Sequence, residues 1–244
     1  LKRHLKTYPA PRFWPVMIKE HEFTIRPAPG PHAIFSSMPL GLILRDVLGY
    51  ATTVSEAKKL LTEGKVLIDG VVRRDYKFPV GLMDVVFLKP AGTYYRVVPD
   101  PVNKLSLLEI NSEEAAFKLV RIKGKRLLKD KTVQLSGHDG RTFAVKVDDP
   151  FKIQLDYRIF DTVKVSLPEG EILERIALEP EAYASIIGGV NIGRSGVVRE
   201  VPKQKGPNRL AKVTIDDVES TVTLKYIFPV GKGSPIISLR GKVA

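Results

Sequence analysis

The side chains in this sequence whose types and placement could do chemistry are its cations. Lysine and arginine number 39 against 27 aspartates and glutamates, a net charge of +12 with the histidines neutral. Such an excess selects polyanionic partners, either nucleic acid or an anionic membrane surface. Covalent and metal chemistry find few candidates. There is no cysteine, which removes disulfides, thiolate nucleophiles, zinc ribbons and iron–sulfur clusters. The four histidines, His4, His21, His32 and His138, include no pair at the i, i+4 spacing of a helical metal site. No metal and no cofactor are expected.

Three acidic pairs, Glu113 with Glu114, Asp148 with Asp149 and Asp216 with Asp217, could in principle act as catalytic carboxylates. Adjacent residues point apart on a strand or helix, so solvated structural roles are expected instead. His138, Asp139 and Gly140 read as a hairpin turn with the histidine at the surface. From Gly188 to Ser195 the glycines spell G-x-x-x-x-G-R-S, one residue from a phosphate-cradling loop. That motif needs a lysine where Arg194 stands and a helix where Gly196, Val197 and Val198 read as a strand. Ser195 also lacks the G-x-S-x-G elbow of a nucleophile. No catalysis is expected.

The cations concentrate toward the two ends. Residues 1–90 hold 14 basic and 8 acidic residues, 91–180 hold 15 and 14, and 181–244 hold 10 and 5. In the middle third, Lys118, Arg121, Lys123, Lys125, Arg126, Lys129 and Lys131 crowd 14 residues, an arrangement that asks for a counter-ion such as RNA phosphate. The first stretch, Leu1 to about Pro31, is basic and carries proline at 9, 11, 15, 27, 29 and 31. Proline at that density forbids helix and leaves an extended arm. Arg12, Phe13 and Trp14 set a cation beside two aromatics, which suits stacking on bases; the compatible alternative is that the rings pin the arm to the body. The start lacks the apolar region of a signal peptide, and no apolar run approaches the ~18 residues of a membrane helix. The sequence therefore reads as intracellular and soluble, and a first residue other than methionine reads as a trimmed start.

The elements that position these cations are partly readable. Leu40, Ile43, Leu44 and Val47 recur at helical spacing up to Gly49. A second helix starts at Thr53, which with Glu56 makes a capping-box pattern, and its stripe of Val54, Ala57, Leu60 and Leu61 ends before Gly64. Val66 and Ile68 then alternate into Asp69-Gly70, a strong turn signal, and the chain resumes at Val71 and Val72. The run TVSEAKKLLTEGKVLIDG, residues 53–70, resembles the core of the S4-type RNA-binding domain. Val54 and Val71 occupy positions where that pattern carries phosphate contacts; Arg73, Arg74 and Lys77 follow within reach.

Beyond residue 90 come short β-type segments at Tyr94 to Val98, Thr132 to Leu135, Thr142 to Val147, Ile153 to Leu155 and Thr162 to Leu167. One helix, Ser112 to Val120 with Ser112 as its cap, is expected among them, followed by an exposed basic loop from Lys118 to Lys131. ASIIGGVNIGRSGVVREV, residues 184–201, is similar to the KOW motif, a strand, a glycine-rich loop and a strand within a small barrel. The fold class expected is α+β and multidomain. It comprises a basic proline-rich arm (1–37), an S4-like helix-helix-strand domain (38–90), a central β-rich domain (91–172), and an SH3-like KOW β-barrel with a basic C-terminal stretch (173–244) that carries Lys232, Arg240 and Lys242.

That succession resembles the small-subunit ribosomal protein eS-four family of archaea and eukaryotes. The resemblance rests on HLKTYPAPRFWP, GPH at 30–32, LILRDVLGYA, KVLIDGVVRRDYKFPVGLMDVV, GGVNIGRSGVV and IFPVGKGSPIISL. It implies a structural component of the cytoplasmic ribosome without catalysis, supporting subunit assembly and translation, whose partners are small-subunit ribosomal RNA and neighbouring small-subunit ribosomal proteins. It implies no membrane and no stand-alone homo-oligomer. RNA contacts are expected from Lys2, Arg3, Lys6, Arg12 and Trp14 in the arm, and from Lys58, Lys59, Lys65, Arg73, Arg74 and Lys77 around the second helix and turn. Lys123, Lys125 and Arg126 would contribute from the basic loop, and Arg194, Arg199, Lys203, Lys205 and Arg209 from the last domain. Two other classes compete. An RNA-modifying enzyme with an S4-like domain would need an Arg-Leu-Asp motif, which does not occur in the sequence. A transcription elongation factor with a KOW barrel would leave the S4-like unit and the arm unexplained.

Overall fold

The computed structural model describes residues 4–128, 132–146, 157–202, 209–216 and 218–239. It is mostly β with few helices, and the chain forms two compact units, one built on residues 4–98 and 105–116 and the other on 99–104 and 117–239.

In the first unit the proline-rich arm is folded rather than simply extended. Strand β1 (Leu5–Lys6) pairs antiparallel with β2 (Phe23–Thr24). The Thr7 hydroxyl closes the loop between them by sharing its one proton between the carbonyls of His21 and Ile18, at 3.0 and 3.3 Å. Trp14 is 4% exposed, and its indole N–H donates to the Ser37 carbonyl at 2.9 Å. Its ring is committed to the interior, which corrects the expectation that Trp14 contacts RNA. A buried indole needs an acceptor for its one polar atom, and Ser37 supplies it. Trp14→Phe is expected to lower stability by about 1–2 kcal/mol by leaving that carbonyl unpaired, as read from urea unfolding.

Strand β3 (Ser37–Pro39) leads into α1 (Leu40–Leu42), which continues through Ile43–Val47 as a π-helical turn closed by the Leu48 N–H on the Ile43 carbonyl. Leu40, Leu42, Ile43 and Leu44 are buried. Helix α2 (Val54–Thr62) is capped by Thr53, whose side chain accepts from the Glu56 N–H. The return bond of the box is displaced by one residue, since the Glu56 carboxylate takes the N–H and hydroxyl of Thr52, each at 2.8 Å. Strands β4 (Val66–Ile68) and β5 (Val71–Val72) form a hairpin. Its turn residues Asp69 and Gly70 have φ of 51° and 78°, the left-handed pair that a two-residue hairpin requires. Then follow β6 (Pro79–Gly81), β7 (Val85–Leu88), β8 (Thr93–Asp100) and β9 (Lys104–Ile110). The five-stranded sheet has the order β5-β4-β7-β8-β9, and β3 pairs with β6.

Helix α3 (Ser112–Ala115) is only four residues long, and its N-cap is Asn111 with no side-chain cap bond. The chain then enters β10 (Phe117–Leu127), where a longer helix and a basic loop were expected. Phe117 to Val120 pair with Val163 to Ser166 on a neighbouring strand, and long-range pairing overrides a helical start five residues earlier.

The second unit contains two antiparallel five-stranded sheets. In the first, β11 (Thr132–Gly137), β12 (Thr142–Lys146), β13 (Thr162–Ser166) and β14 (Ile172–Ile176) give the order β12-β11-β10-β13-β14. In the second, β15 (Ala182–Ile186), β16 (Ser195–Glu200), β17 (Leu210–Ile215), β18 (Val218–Thr223) and β19 (Ile227–Lys232) give β18-β17-β16-β15-β19. Burial alternates along β11 and β17, so every second residue feeds the core. One core gathers Val120, Ile122, Val133, Leu135, Val163 and Val165; another includes Ile186, Val198, Val213, Ile215 and Ile227. The strand expected at Ile153 to Leu155 lies outside the described residues.

The interior of the second unit also holds charge. Lys118 is 1% exposed and Asp139 2%; the Lys118 Nζ lies 3.1 Å from Asp139 Oδ2, and Arg141 Nε lies 3.3 Å from the same oxygen. The buried Arg121 guanidinium donates to the carbonyls of Lys225 and Ile227 at 2.8 and 2.7 Å, and burial lowers its pKa to about 10. His138 Nδ1 accepts from the Arg121 N–H at 3.1 Å, and its ring meets Phe228 edge-on. Lys118, Arg121 and His138 are therefore interior or half-buried structural groups rather than surface ones. In the first unit Glu114 corrects another expectation: it pairs at 2.5 Å with Arg96, which is fully buried.

Candidate nucleic-acid interface

A dense set of outward cations among the described residues lies where α2 meets the β5–β6 loop. Helix α2 buries Ala57 and Leu61 and exposes Lys58 and Lys59. The Lys58 Nζ sits 4.5 Å above the Tyr76 ring, and the Lys77 Nζ 5.5 Å from the same ring. One aromatic side chain thus locates two ammonium groups while their charge stays available to an anion. Arg73 lies 4.6 Å over Phe78. Asp75 Oδ1 accepts the Lys77 N–H at 2.9 Å, a side-chain turn that fixes the loop.

Exposed Arg74 makes no side-chain ion pair or hydrogen bond among the described residues. Lys65 is more committed, with Nζ 2.6 Å from Glu63. That bond, followed by the Lys65 charge, holds the Glu63 carboxyl below its usual range. A groove of about 590 Å³ opens here, lined by Glu63, Gly64, Val72, Arg73, Arg74, Asp75, Phe78 and Lys89. Lys89 is missed by sequence reasoning. It stands 15 positions after Arg74, and only the pairing of Val66 with Leu88 brings the end of β7 to this place.

The remaining candidates are distributed. In the arm, Lys6 pairs with Glu22 at 2.9 Å in full view of solvent, a contact worth about 0–1 kcal/mol and readily exchanged for a phosphate. Arg12 is exposed without a side-chain partner among the described residues, and Lys2 and Arg3 lie outside them. In the second unit, Lys123 and Arg126 are exposed on β10, whereas the Lys125 Nζ donates to the Tyr157 carbonyl at 3.1 Å. Arg194 is exposed just before β16, Arg199 is exposed and donates from Nε to the Thr214 hydroxyl at 3.0 Å, and Arg209 is half-buried. Lys129, Lys131, Lys203, Lys205, Arg240 and Lys242 lie outside the described residues.

No group of three or more metal-ligating side chains occurs among the described residues. No helix there is long and apolar enough to cross a membrane. The arrangement can neutralise phosphates at many points and offers aromatic faces beside several of the cations.

Comparison with known proteins gives three family matches: "Ribosomal family S4e" over residues 91–172, the RS4NT domain over 1–34 and the S4 domain over 42–86. The small ribosomal subunit protein eS4 of Staphylothermus marinus is 45% identical, with 98% of this chain and 96% of that protein covered. The protein of the same name from Aeropyrum pernix is 46% identical, covering 98% and 95%. The crystal structure of the 30S ribosomal protein S4e from Thermoplasma acidophilum matches with a TM-score of 0.68 and 29% identity, over 81% of this chain and 96% of that one.

Proposed function

Because the chain belongs to the ribosomal protein family S4e, we propose that it is an architectural component of the small ribosomal subunit that binds ribosomal RNA and does no catalysis. It works in the cytoplasm as part of the ribosome, beside other small-subunit proteins. The observation that carries this reading is the match along 98% of the chain to relatives named as small-subunit proteins. The outward cations agree with it, since Arg12, Arg74, Lys123, Arg126 and Arg194 are exposed and make no side-chain ion pair among the described residues. RNA phosphate is the partner such charges favour.

Finer features follow in the same reading. The helical segment at 40–47, helix α2 and strand β4 support an S4-like helix-helix-strand domain over 38–90, after an arm at 1–37. The sheet from β10 to β14 supports the later part of a central domain over 91–172, whose first strands, β8 and β9, join the β5-β4-β7-β8-β9 sheet. Strands β15 and β16 with the glycine-rich loop between them support a KOW-type, SH3-like barrel over 173–244.

Sedimentation of a cell lysate through a sucrose gradient tests the role directly. The chain is expected to travel with the small subunit and to resist a moderate salt wash; recovery at the top of the gradient would mean a free RNA-binding factor. At residue level, Lys58→Glu with Lys59→Glu is expected to weaken RNA binding and to flatten the slope of log affinity against log salt by about 1 per lost phosphate contact. An unchanged slope removes both lysines from the interface.

A further inference from the structure

The groove at the end of α2 carries more chemistry than phosphate neutralisation requires. Its volume of about 590 Å³ admits a single nucleotide. Arg73 lies over the Phe78 ring, and its Nε is buried and makes no hydrogen bond. Contact with the ring, rather than a bond at Nε, therefore locates the guanidinium, whose planar face is a platform for a base. Exposed Val72 adds an apolar wall. Arg74 and Lys89 are exposed at the rim without side-chain ion pairs or hydrogen bonds among the described residues, as phosphate ligands would be.

The two carboxylates in the groove differ. Glu63 is held by Lys65, whereas Asp75 uses only Oδ1, on the Lys77 N–H. A carboxylate repels phosphate and can only accept hydrogen bonds, so Asp75 suits the N–H groups on a base edge. A paired duplex keeps its base faces stacked and cannot lay one against Arg73.

The geometry points to an unpaired RNA nucleotide as the ligand of this groove, its base on Arg73, its Watson–Crick edge toward Asp75 and its phosphate toward Arg74 and Lys89. Guanine fits best, because its N1–H and N2–H are adjacent donors that one carboxylate accepts together. This inference rests on the RNA-binding reading and names what that part of the interface selects. A free guanine nucleotide has the same chemistry and is the other source.

The test uses the full chain and fluorescence anisotropy with two RNA hairpins closed by a non-nucleotide linker, one carrying a single bulged guanosine and one fully paired, with guanosine monophosphate as competitor. The bulged hairpin is expected to bind about tenfold tighter, within the range that one stacked base contributes. Lys89→Ala and Arg74→Ala are each expected to shrink that ratio, and Asp75→Asn to reduce the preference for guanosine over adenosine in the bulge. Measurable but equal binding of both hairpins overturns the groove assignment and leaves RNA binding standing. A ratio that persists in the Arg74 and Lys89 variants shows that the bulge is read elsewhere, and overturns it too. Displacement of the bulged hairpin by micromolar guanosine monophosphate would assign the groove to the free nucleotide instead. Binding of neither hairpin would overturn the RNA-binding reading itself.

Discussion

Lys118→Met is expected to destabilise the protein by about 3–5 kcal/mol, the usual cost of leaving one member of a buried ion pair without its partner. Guanidinium unfolding of the full chain measures it. Lys118 is among the largest fully buried side chains, and the Asp139 it pairs with is almost as inaccessible. Arg141, which is partly exposed, approaches the same carboxylate and keeps the loss at the lower end of that range. The double variant Lys118→Met with Asp139→Leu is expected to recover much of the loss, because replacing both charges by apolar groups removes the uncompensated ion. A single variant within about 0.5 kcal/mol of wild type would be the behaviour of a surface residue and would contradict the buried placement.

The same pair predicts a pH dependence. Burial pushes the Asp139 carboxyl up, but the charge of Lys118, the electrostatic contribution of the neighbouring His138 ring and hydrogen bonds from Lys118 and the Arg141 N–H outweigh it and hold the group below its usual value. The unfolded chain therefore takes up this proton at a higher pH than the folded one. Its contribution to stability is present above about pH 4, the ordinary range of an aspartate, and is lost as the pH falls through the depressed folded value. Unfolding free energies measured from pH 6 downward are expected to fall less steeply in Asp139→Leu with Lys118→Met than in wild type.

Gly193→Val is the second large effect. Gly193 has φ of 78°, a backbone region that strains a β-branched residue, and a Cβ there would collide with the ring and backbone of Pro101. Backbone strain of about 1–3 kcal/mol then adds to an overpacking cost of about 1–3 kcal/mol. Gly233→Val separates the two terms, since Gly233 has a similar φ of 69° but nothing within 4 Å of its added Cβ. Thermal or denaturant unfolding is expected to show Gly193→Val as the more damaging of the two. Equal losses would leave strain as the whole effect and remove the role of the close approach to Pro101.

Several elements were readable because their signals are local. The Thr53 cap acts on an amide three residues away, the Asp69-Gly70 turn requires left-handed backbone at the two residues that spell it, and the alternation of β11 and β17 records which residues face a core. The expected basic loop fails, over its described part 118–128, for the opposite reason. Asp139 and the carbonyls of Lys225 and Ile227 neutralise or solvate Lys118 and Arg121, and all of them are distant in sequence. Trp14, for which base stacking and pinning of the arm were both open, and Glu114, expected to be solvated, were decided likewise by Ser37 and Arg96 in other elements.

By itself, then, the sequence determined the net charge, the lack of thiol chemistry, the capped helix, the hairpin turn and the family resemblance, all of which depend on composition, neighbouring residues or the order of motifs. Tertiary structure decided which cations face solvent, turned much of a predicted basic loop into a strand, seated Trp14 in the interior and brought Lys89 into one groove with Arg74. The physical reason is that a charged side chain carries the same chemistry in any position, while its availability depends on the dielectric and the partners around it. Those are supplied by strands that meet only when the sheets form.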